Sequence, residues 1–323
     1  MFKQFNICTS KTGDSYIGVS TRRLEEGLPA MQNLTGLAVA VMGGDAREVT
    51  LVESLTGAGA TVKTLGLPVK GPNIVPCSEP EECLAGVQAL ILPVPGVNEQ
   101  MELFSAYLKP RPIITGELLS LLPAGTPVLV GVARKPLCEL LEKNALKPIE
   151  LMKLDEVAIL NSIPSAEGAV QMAMERLPIT IHGSSAMVLG FGRTGQTMAQ
   201  LLMAMHAHTT VVARNPAQLA RATAMGLKAL HFNELVDYLR DVDVIFNTIP
   251  APVINGEILQ RLPSATLIID LASAPGGTDF VKAGELGIEA VLAPGLPGKV
   301  APKTAGMILA RVVPGILLQK IGH

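Results

Sequence analysis

Short apolar runs alternate with helix-forming segments along most of the chain. Strands are predicted in a first block at residues 37–42, 60–65, 89–92 and 128–132, and in a second block at 187–189, 210–213, 244–247, 267–271 and 290–293. Helices are predicted between the strands of the first block at 46–55, 79–84, 117–121 and 137–144. This regular alternation is typical of a parallel sheet that helices cover on both faces.

The two blocks predict an α/β protein with two doubly wound parallel-sheet domains and a cleft between them. The N-terminal domain is expected to be flavodoxin-like, and the second to be a Rossmann domain that binds NAD(P). Between the blocks, Pro164 is expected to end an extended segment and Ser165 to cap a linker helix that runs to Glu175. The apolar segment 302–321 is predicted to return as a helix to the first domain. The predicted domains are therefore residues 31–163 with 302–323, and residues 164–301.

The first 30 residues show neither helical nor strand periodicity. Lys3, Lys11, Arg22 and Arg23 are scattered among Ser, Thr and Gly. We expect residues 1–30 to lie outside the fold and Met31 to be the true start, because codons for the Glu-Glu-Gly just upstream can spell a ribosome-binding sequence. A genuine extension is the alternative.

A glycine motif in the second block predicts a dinucleotide site. Four apolar residues lead into Gly190-Phe-Gly192-Arg193-Thr194-Gly195, and a helix is predicted at 196–205. In a strand–turn–helix context, these glycines allow a tight turn, a close approach of the backbone to a pyrophosphate, and close packing of helix and strand. The helix N-terminus adds N–H groups and a partial positive charge for the phosphates.

The end of the next strand selects the cofactor. An NAD enzyme usually places Asp or Glu about 20 residues after the glycines, to bind the ribose 2′-OH. This chain has Arg214, followed by Asn215. A guanidinium suits a 2′-phosphate, so NADP is predicted and NAD is less favoured. A solvated arginine at a strand end is the alternative reading.

Further candidate residues follow the strands of both blocks, where ligands bind in open α/β sheets. Asn247-Thr248-Ile249-Pro250 and Ala272-Ser273 are predicted to line the nicotinamide. Gly and Pro in these turns also have a plain explanation as turn chemistry. Arg47, after the first strand, and Lys303 are the candidate cations for an anionic substrate, although either also reads as a solvated charge at a helix end.

Composition limits the remaining functions. The formal net charge is −2, with 48% hydrophobic and 17% charged residues, so nothing points to nucleic acid or a membrane as partner. The four cysteines form no C-x-x-C and the histidines have no metal spacing, so no metal site is predicted. Without a signal-peptide pattern or disulfide framework, the protein is expected to be cytoplasmic.

Seven strings, taken together, resemble one family, the A subunits of dipicolinate synthase. They lie in order along the chain from Leu34 to the C-terminus, at residues 34–47, 161–164, 180–184, 190–195, 270–280, 293–298 and 301–306. The resemblance implies oxidation of a dihydrodipicolinate ring to pyridine-2,6-dicarboxylate in the mother cell of a spore-forming bacterium. It also implies that the partner is a flavoprotein-like B subunit; a homo-oligomer is left open.

The implied chemistry needs cations for a dicarboxylate ring, a nicotinamide as hydride acceptor, and a base for one proton. Arg47 and Lys303 are expected to hold the carboxylates from opposite sides of the cleft. The candidate bases are Asp45, Glu167 and His182, in that order. Two other classes stay open: another NADP oxidoreductase of the 2-hydroxyacid or shikimate dehydrogenase type, and a non-catalytic NADP-binding subunit.

Overall fold

The computed structural model describes residues 32–321. Residues 1–30, and the expectation that Met31 is the start, lie outside this described range. Within it, two six-stranded parallel sheets follow each other along the chain, each with helices on its faces. The prediction of two doubly wound α/β domains is confirmed.

The first sheet is built from residues 38 to 150. Its strands are β1 (Ala38–Met42), β2 (Thr61–Leu65), β3 (Ile74–Cys77), β4 (Ala89–Ile91), β5 (Pro127–Val130) and β6 (Lys147–Glu150). Its helices are α1 (Ala46–Gly57), α2 (Pro80–Leu84), α3 (Gly116–Leu119) and α4 (Lys135–Lys143). The strand order is β3-β2-β1-β4-β5-β6. This is the order of dinucleotide-binding domains, whereas the flavodoxin-like expectation implies 2-1-3-4-5.

The second sheet repeats this order. Its strands are β7 (Ser185–Leu189), β8 (His208–Ala213), β9 (Lys228–His231), β10 (Val244–Asn247), β11 (Leu267–Asp270) and β12 (Ala290–Leu292). A long helix, α5 (Asp155–Arg176), precedes them, and α6 (Arg193–Ala204), α7 (Pro216–Ala224), α8 (Gly256–Leu259) and α9 (Phe280–Glu285) connect them. Read from its other edge, the sheet runs β9-β8-β7-β10-β11-β12, so both sheets reverse direction beside their first strand.

Three strands escaped prediction, and all three lie outside the sheet centres. All three are edge strands: β3 and β6 form the two edges of the first sheet, and β9 forms one edge of the second. Their sequences, IVPC, KALH and KPIE, are each interrupted by a proline or a lysine, and the strands stay partly exposed. A strand that buries little has little reason to carry an apolar run, so the pattern that reveals central strands is absent here.

The linker prediction was wrong in two respects. Residues 161–164 are not extended, because α5 is continuous from Asp155 and includes Pro164. Proline removes one hydrogen bond from a helix interior. Here, packing supplies the compensation, since Ala166, Ala169 and Ala173 of α5 belong to the core of the second domain. Ser165 does not cap the helix; its hydroxyl donates to the Asn161 carbonyl at 2.8 Å.

The chain returns to the first domain through α10 (Leu296–Val300) and α11 (Pro302–Ile321). Within the described range, α11 is the one helix long and apolar enough to cross a membrane. Its apolar residues nevertheless pack in the core of the first domain, with Ile308, Val313 and Leu317 at most 4% exposed. It is therefore a core helix that fastens the end of the chain to the first sheet.

Candidate functional site

The turn from β7 to α6 has the geometry that the glycine motif predicts. Gly190 has a φ of +89°, where a side chain would be strained. A Cβ on Gly195 would lie 2.1 Å from the Gly190 carbonyl oxygen, so any side chain there would overlap the backbone. Strand and helix can therefore approach this closely only with glycine at both positions.

The start of α6 is open. Gly192 is its N-cap and supplies no side-chain hydrogen bond, and a Cβ placed there would meet no described atom within 4 Å. The first intrahelical bond runs from Gln196 N–H to the Gly192 carbonyl at 2.9 Å. The N–H groups of Arg193, Thr194 and Gly195 precede that bond, so they are the ones a helix leaves for an anion. The Arg193 guanidinium itself pairs with Asp155 at 2.9 Å.

Arg214 directly follows β8, at the same edge of the sheet. Its side chain is exposed, and its guanidinium carbon lies over the Phe232 ring, 5.2 Å from the centroid. Such stacking holds a guanidinium without using its N–H donors. The Asn215 side chain caps α7 by accepting from Ala217 N–H at 2.9 Å, so in this structure that side chain serves the helix start.

A buried polar network shapes the turns after β10 and β11. The Asp270 carboxylate is fully buried and accepts four hydrogen bonds of 2.7–3.0 Å, from Asn247 Nδ2, Ala272 N–H, Gly277 N–H and Thr278 Oγ1. Asn247, also fully buried, bonds both backbone groups of Ile249. The expectation that Asn247 touches a cofactor needs correction, because its amide is enclosed and its donors and acceptor serve the turn.

The other predicted nicotinamide contacts line this network. Thr248 lies half-buried against Gly190, and its hydroxyl donates to the Leu189 carbonyl at 2.8 Å. Ile249 is half-buried beside the same glycine, whereas Pro250 is exposed. Ala272 is buried and Ser273 exposed. The structure thus brings Gly190 together with Thr248 and Ile249, and it places Ala272 and Ser273 after the neighbouring strand.

The corresponding turn of the first domain, from β1 to α1, is closed by acidic side chains. Asp45 is the N-cap of α1 and accepts from Arg47 N–H at 3.0 Å. The Arg47 side chain binds the same carboxylate with two bonds, Nε to Oδ1 at 2.9 Å and Nη2 to Oδ2 at 2.8 Å. Glu48 completes a capping box by accepting from Asp45 N–H at 2.8 Å.

Charges in this turn shift one another's protonation. Burial alone would raise the pKa of Asp45, but the hydrogen bonds and charge of Arg47 hold it below the ordinary value for an aspartate. Burial raises the pKa of Glu48, against the opposing effect of Arg47. Partial burial, followed by the charges of Asp45 and Glu48, raises the pKa of Tyr107. Asp45 is therefore a weak base, which argues against its first place among the candidate bases.

The predicted cations do not stand on opposite sides of a cleft. Arg47 is only 7% exposed, and its guanidinium lies against Gly298 of α10, where a Cβ would be 2.9 Å from Cζ. Lys303 is exposed in the first turn of α11. One turn later, Gly306 packs on the Arg47 carbonyl and on Thr50 of α1. Lys303 thus belongs to a helix packed on the same element as Arg47, because α11 returns to the first domain.

The other two candidate bases lie apart from this turn. Glu167 is exposed on α5, beside Gly168, which packs against Leu296 and Val300 of α10. His182 precedes β7, and its ring lies 5.5 Å from that of His206. Because Gly190 follows the other end of β7, His182 is at the amino edge of the sheet, opposite the nucleotide turn. The expectation that His182 is a candidate base is not compatible with this position, because ligands bind at the carboxyl ends of the strands.

Sequence reasoning missed three residues that shape these turns. Glu48 had a usable signal, since an acidic residue three positions after an Asp N-cap is a capping-box pattern. Asp270 had one too, because a charged residue directly after a buried apolar strand calls for partners. Phe232 had none, since its contact with Arg214 depends on how β8 and β9 pair.

The comparisons with known proteins agree with this architecture. The family model for the N-terminal domain of the dipicolinate synthase A subunit matches residues 38–152. The model described as shikimate / quinate 5-dehydrogenase matches residues 171–276, within the second domain and its linker helix.

Two relatives match almost their whole length. The dipicolinate synthase A subunit of Bacillus subtilis (strain 168) is 39% identical over 289 residues, which are 88% of this chain and 97% of the relative. The crystal structure of the dipicolinate synthase A subunit from Bacillus halodurans has a TM-score of 0.85 at 39% identity, covering 88% of this chain and 99% of that one. D-lactate dehydrogenase from Escherichia coli, with a TM-score of 0.60 at 13% identity and 89% and 98% coverage, shares the fold alone.

Proposed function

The chain belongs to the family of dipicolinate synthase A subunits, and from that premise we propose that it oxidises a dihydrodipicolinate ring to pyridine-2,6-dicarboxylate with NADP. The observation that carries the proposal is the open start of α6 at Gly192, because a dehydrogenase needs a place for the cofactor's pyrophosphate. The glycines fit that group: Gly190 and Gly195 bring the helix close to the strand, and Gly192 leaves the approach clear.

Arg214 would bind the 2′-phosphate of NADP. It follows β8, where the adenine ribose of a Rossmann dinucleotide lies, and Phe232 holds its guanidinium in place. The same position would leave the 2′-OH of NAD without the carboxylate that usually binds it. NADP therefore suits this turn better than NAD.

The turns after β10 and β11 would carry the nicotinamide end. Their backbone is fixed by the enclosed Asn247–Asp270 pair, so Thr248, Ile249, Ala272 and Ser273 present a preformed surface. The bound nicotinamide supplies the hydride acceptor. The chain's own contribution is to hold that ring in one place, since fixed orientation accounts for much of the rate of such a transfer.

The substrate's carboxylates would be bound from the first domain. Nε and Nη2 of Arg47 bind Asp45, and within residues 32–321 Nη1 has no hydrogen-bond partner. We assign Nη1 to one carboxylate and the exposed Lys303 to the other. Of the three candidate bases, Glu167 is the one that is neither ion-paired nor at the far edge of the sheet, and we propose it as the proton acceptor.

The cellular setting follows from the family. The relatives are named as one subunit of a synthase, so a partner subunit is implied, and we propose a flavoprotein-like B subunit. Synthesis during sporulation, in the cytoplasm of the mother cell, completes the proposal.

Turnover of the proposed substrate tests this function. The full chain, alone and with its partner subunit, is given dihydrodipicolinate and NADP, and both NADPH and pyridine-2,6-dicarboxylate are quantified. We expect Arg47→Lys to lower kcat/KM by more than tenfold with NADP affinity unchanged, because lysine cannot bind Asp45 with two bonds and a substrate carboxylate as well. Arg311→Lys, on the exposed face of α11, is the matched control.

Two outcomes would overturn the assignment. If the wild-type chain forms no product with or without its partner while binding NADP tightly, it is a non-catalytic NADP-binding subunit. If Arg47→Lys keeps the turnover of Arg311→Lys, the carboxylates are bound elsewhere.

A further inference from the structure

Glu48 is an enclosed carboxylate at the point where the first sheet reverses direction. It is 1% exposed, although it lies in the first turn of α1. Gly44 makes room for it, because a Cβ on Gly44 would lie 2.5 Å from Glu48 Oε2. An ordinary capping box stands at the surface and uses one carboxylate oxygen, so burial of this side chain asks for a further explanation.

The second oxygen supplies that explanation. Glu48 Oε2 accepts from Asp45 N–H at 2.8 Å, and Oε1 accepts from Val94 N–H at 3.0 Å. Asp45 belongs to the turn after β1, and Val94 to the turn after β4. These two strands are neighbours in the sheet and are the pair between which the order reverses. Ligands of open α/β sheets bind in the crevice at such a reversal.

Glu48 also fixes the group that would meet the substrate. The backbone N–H that it binds is that of Asp45, whose carboxylate holds the Arg47 guanidinium by two bonds. Movement of the Asp45 backbone would therefore move Nη1 of Arg47. In the turn after β4, the hydrogen bond from Val94 N–H to Glu48 fixes the start of the loop that continues through Pro95 and Gly96.

We propose that Glu48 is a positioning residue of the substrate site: it joins the turns after β1 and β4 and so sets the distance between Arg47 and the loop at residues 93–96. This rests on the proposed function for the identity of the substrate, but the joining of the two turns does not. Glu48 acts through Arg47 and does not touch the ring.

Glu48→Gln tests the role with minimal change in size. An amide has a single acceptor oxygen, so one of the two N–H groups must face an NH2 donor instead. Glu53→Gln is the matched control, since Glu53 is exposed five residues further along α1. For each variant we would measure KM and kcat with dihydrodipicolinate, the Kd of pyridine-2,6-dicarboxylate by calorimetry, the Kd of NADP, and amide hydrogen exchange of residues 43–48 and 93–96.

We expect Glu48→Gln to raise KM and the dicarboxylate Kd by tenfold or more, with a smaller change in kcat, an unchanged Kd for NADP, and faster exchange in both turns. A purely structural role would instead lower the folded fraction, which reduces kcat and the number of NADP sites together and leaves KM unchanged. Equal KM and equal exchange in Glu48→Gln and Glu53→Gln would overturn the inference. If the wild-type chain neither turns over nor binds these dicarboxylates, the proposed function fails, and the exchange rates still decide whether Glu48 joins the turns.

Discussion

The turns from β1 to α1 and from β7 to α6 occupy the same place in two sheets of the same strand order. Each follows the first strand of its sheet, and each begins with glycine at positive φ, Gly43 and Gly190. Yet the helix starts differ. Asp45 and Glu48 cap α1 with two carboxylates, whereas α6 begins at Gly192 without a side-chain cap.

The difference teaches that the fold gives the location of a ligand and the side chains decide its charge. A helix N-terminus attracts anions. The N-terminus of α6 has no side-chain cap and can bind an anionic ligand, whereas the carboxylates of Asp45 and Glu48 already occupy the N-terminus of α1. Under the proposed function, an anionic substrate at the turn from β1 to α1 would be bound by side-chain cations such as Arg47, and of the two helix starts the uncapped one of α6 is the better place for a dinucleotide phosphate.

The largest expected effect is the loss of stability when the turn from β7 to α6 is disrupted. Gly195→Ala should destabilise the protein by about 3 kcal/mol or more, because its Cβ would overlap the Gly190 backbone and neither element can yield easily. Gly192→Ala should lower the melting temperature only slightly, because alanine is a poorer N-cap than glycine. It should weaken NADP binding more than tenfold, because the methyl group takes the space of the pyrophosphate. Thermal melts and NADP titrations separate the two effects.

Gly57→Ala is the control for both changes, since a Cβ there meets nothing within 4 Å. Normal NADP binding by Gly192→Ala would show that the phosphates do not approach this turn, and the contrast between the two helix starts would then have no functional meaning.

A smaller effect is expected when Arg214, the residue proposed to select NADP over NAD, is replaced. Arg214→Asp should weaken NADP binding by about 1.5–3 kcal/mol, roughly ten- to hundredfold, because a charge-assisted pair with the 2′-phosphate is lost. NAD binding should hold or improve. Arg221→Asp, at the exposed end of α7, is the matched control. Equal losses for NAD and NADP in Arg214→Asp would mean that Arg214 shapes the turn and does not select the cofactor.

The central strands and the glycine turn could be predicted, because they depend on local sequence patterns. Central strands carry apolar runs, and the glycines at 190 and 195 are each required by a steric condition that the structure contains, whereas Gly192 is open and would be required only by a bound pyrophosphate. Three of the four edge strands and the start of α5 were missed, because tertiary packing determines them: a proline such as Pro164 ends most helices, but not one whose alanines fill a core.

For the candidate site, individual residues could be named from the sequence, but the contacts between them could not be predicted. Asp45 and Arg47 lie in one turn, but their mutual ion pair depends on side-chain direction, which spacing does not give. His182 and Lys303 were misplaced for a topological reason. The predicted elements already placed His182 before its strand and segment 302–321, which contains Lys303, in the first domain. The error was to assign both residues to the cleft without following these positions to the sheet edge and the domain that they imply.

The smallest expected effect concerns Lys303, the second cation proposed to bind the substrate. Lys303→Ala should raise KM for the dicarboxylate ring by no more than about fivefold, because an exposed ammonium that is screened by water contributes roughly 0.2–1 kcal/mol to an ion pair. The effect should shrink as salt is added, unlike that of the enclosed Arg47. Lys320→Ala, exposed at the other end of α11, is the control. A loss as large as that of Arg47→Lys, and insensitive to salt, would show that Lys303 is enclosed when substrate binds. The substrate site of the first domain would then close over its ligand, in contrast to the open start of α6. An unchanged KM would leave Arg47 to hold the substrate without Lys303.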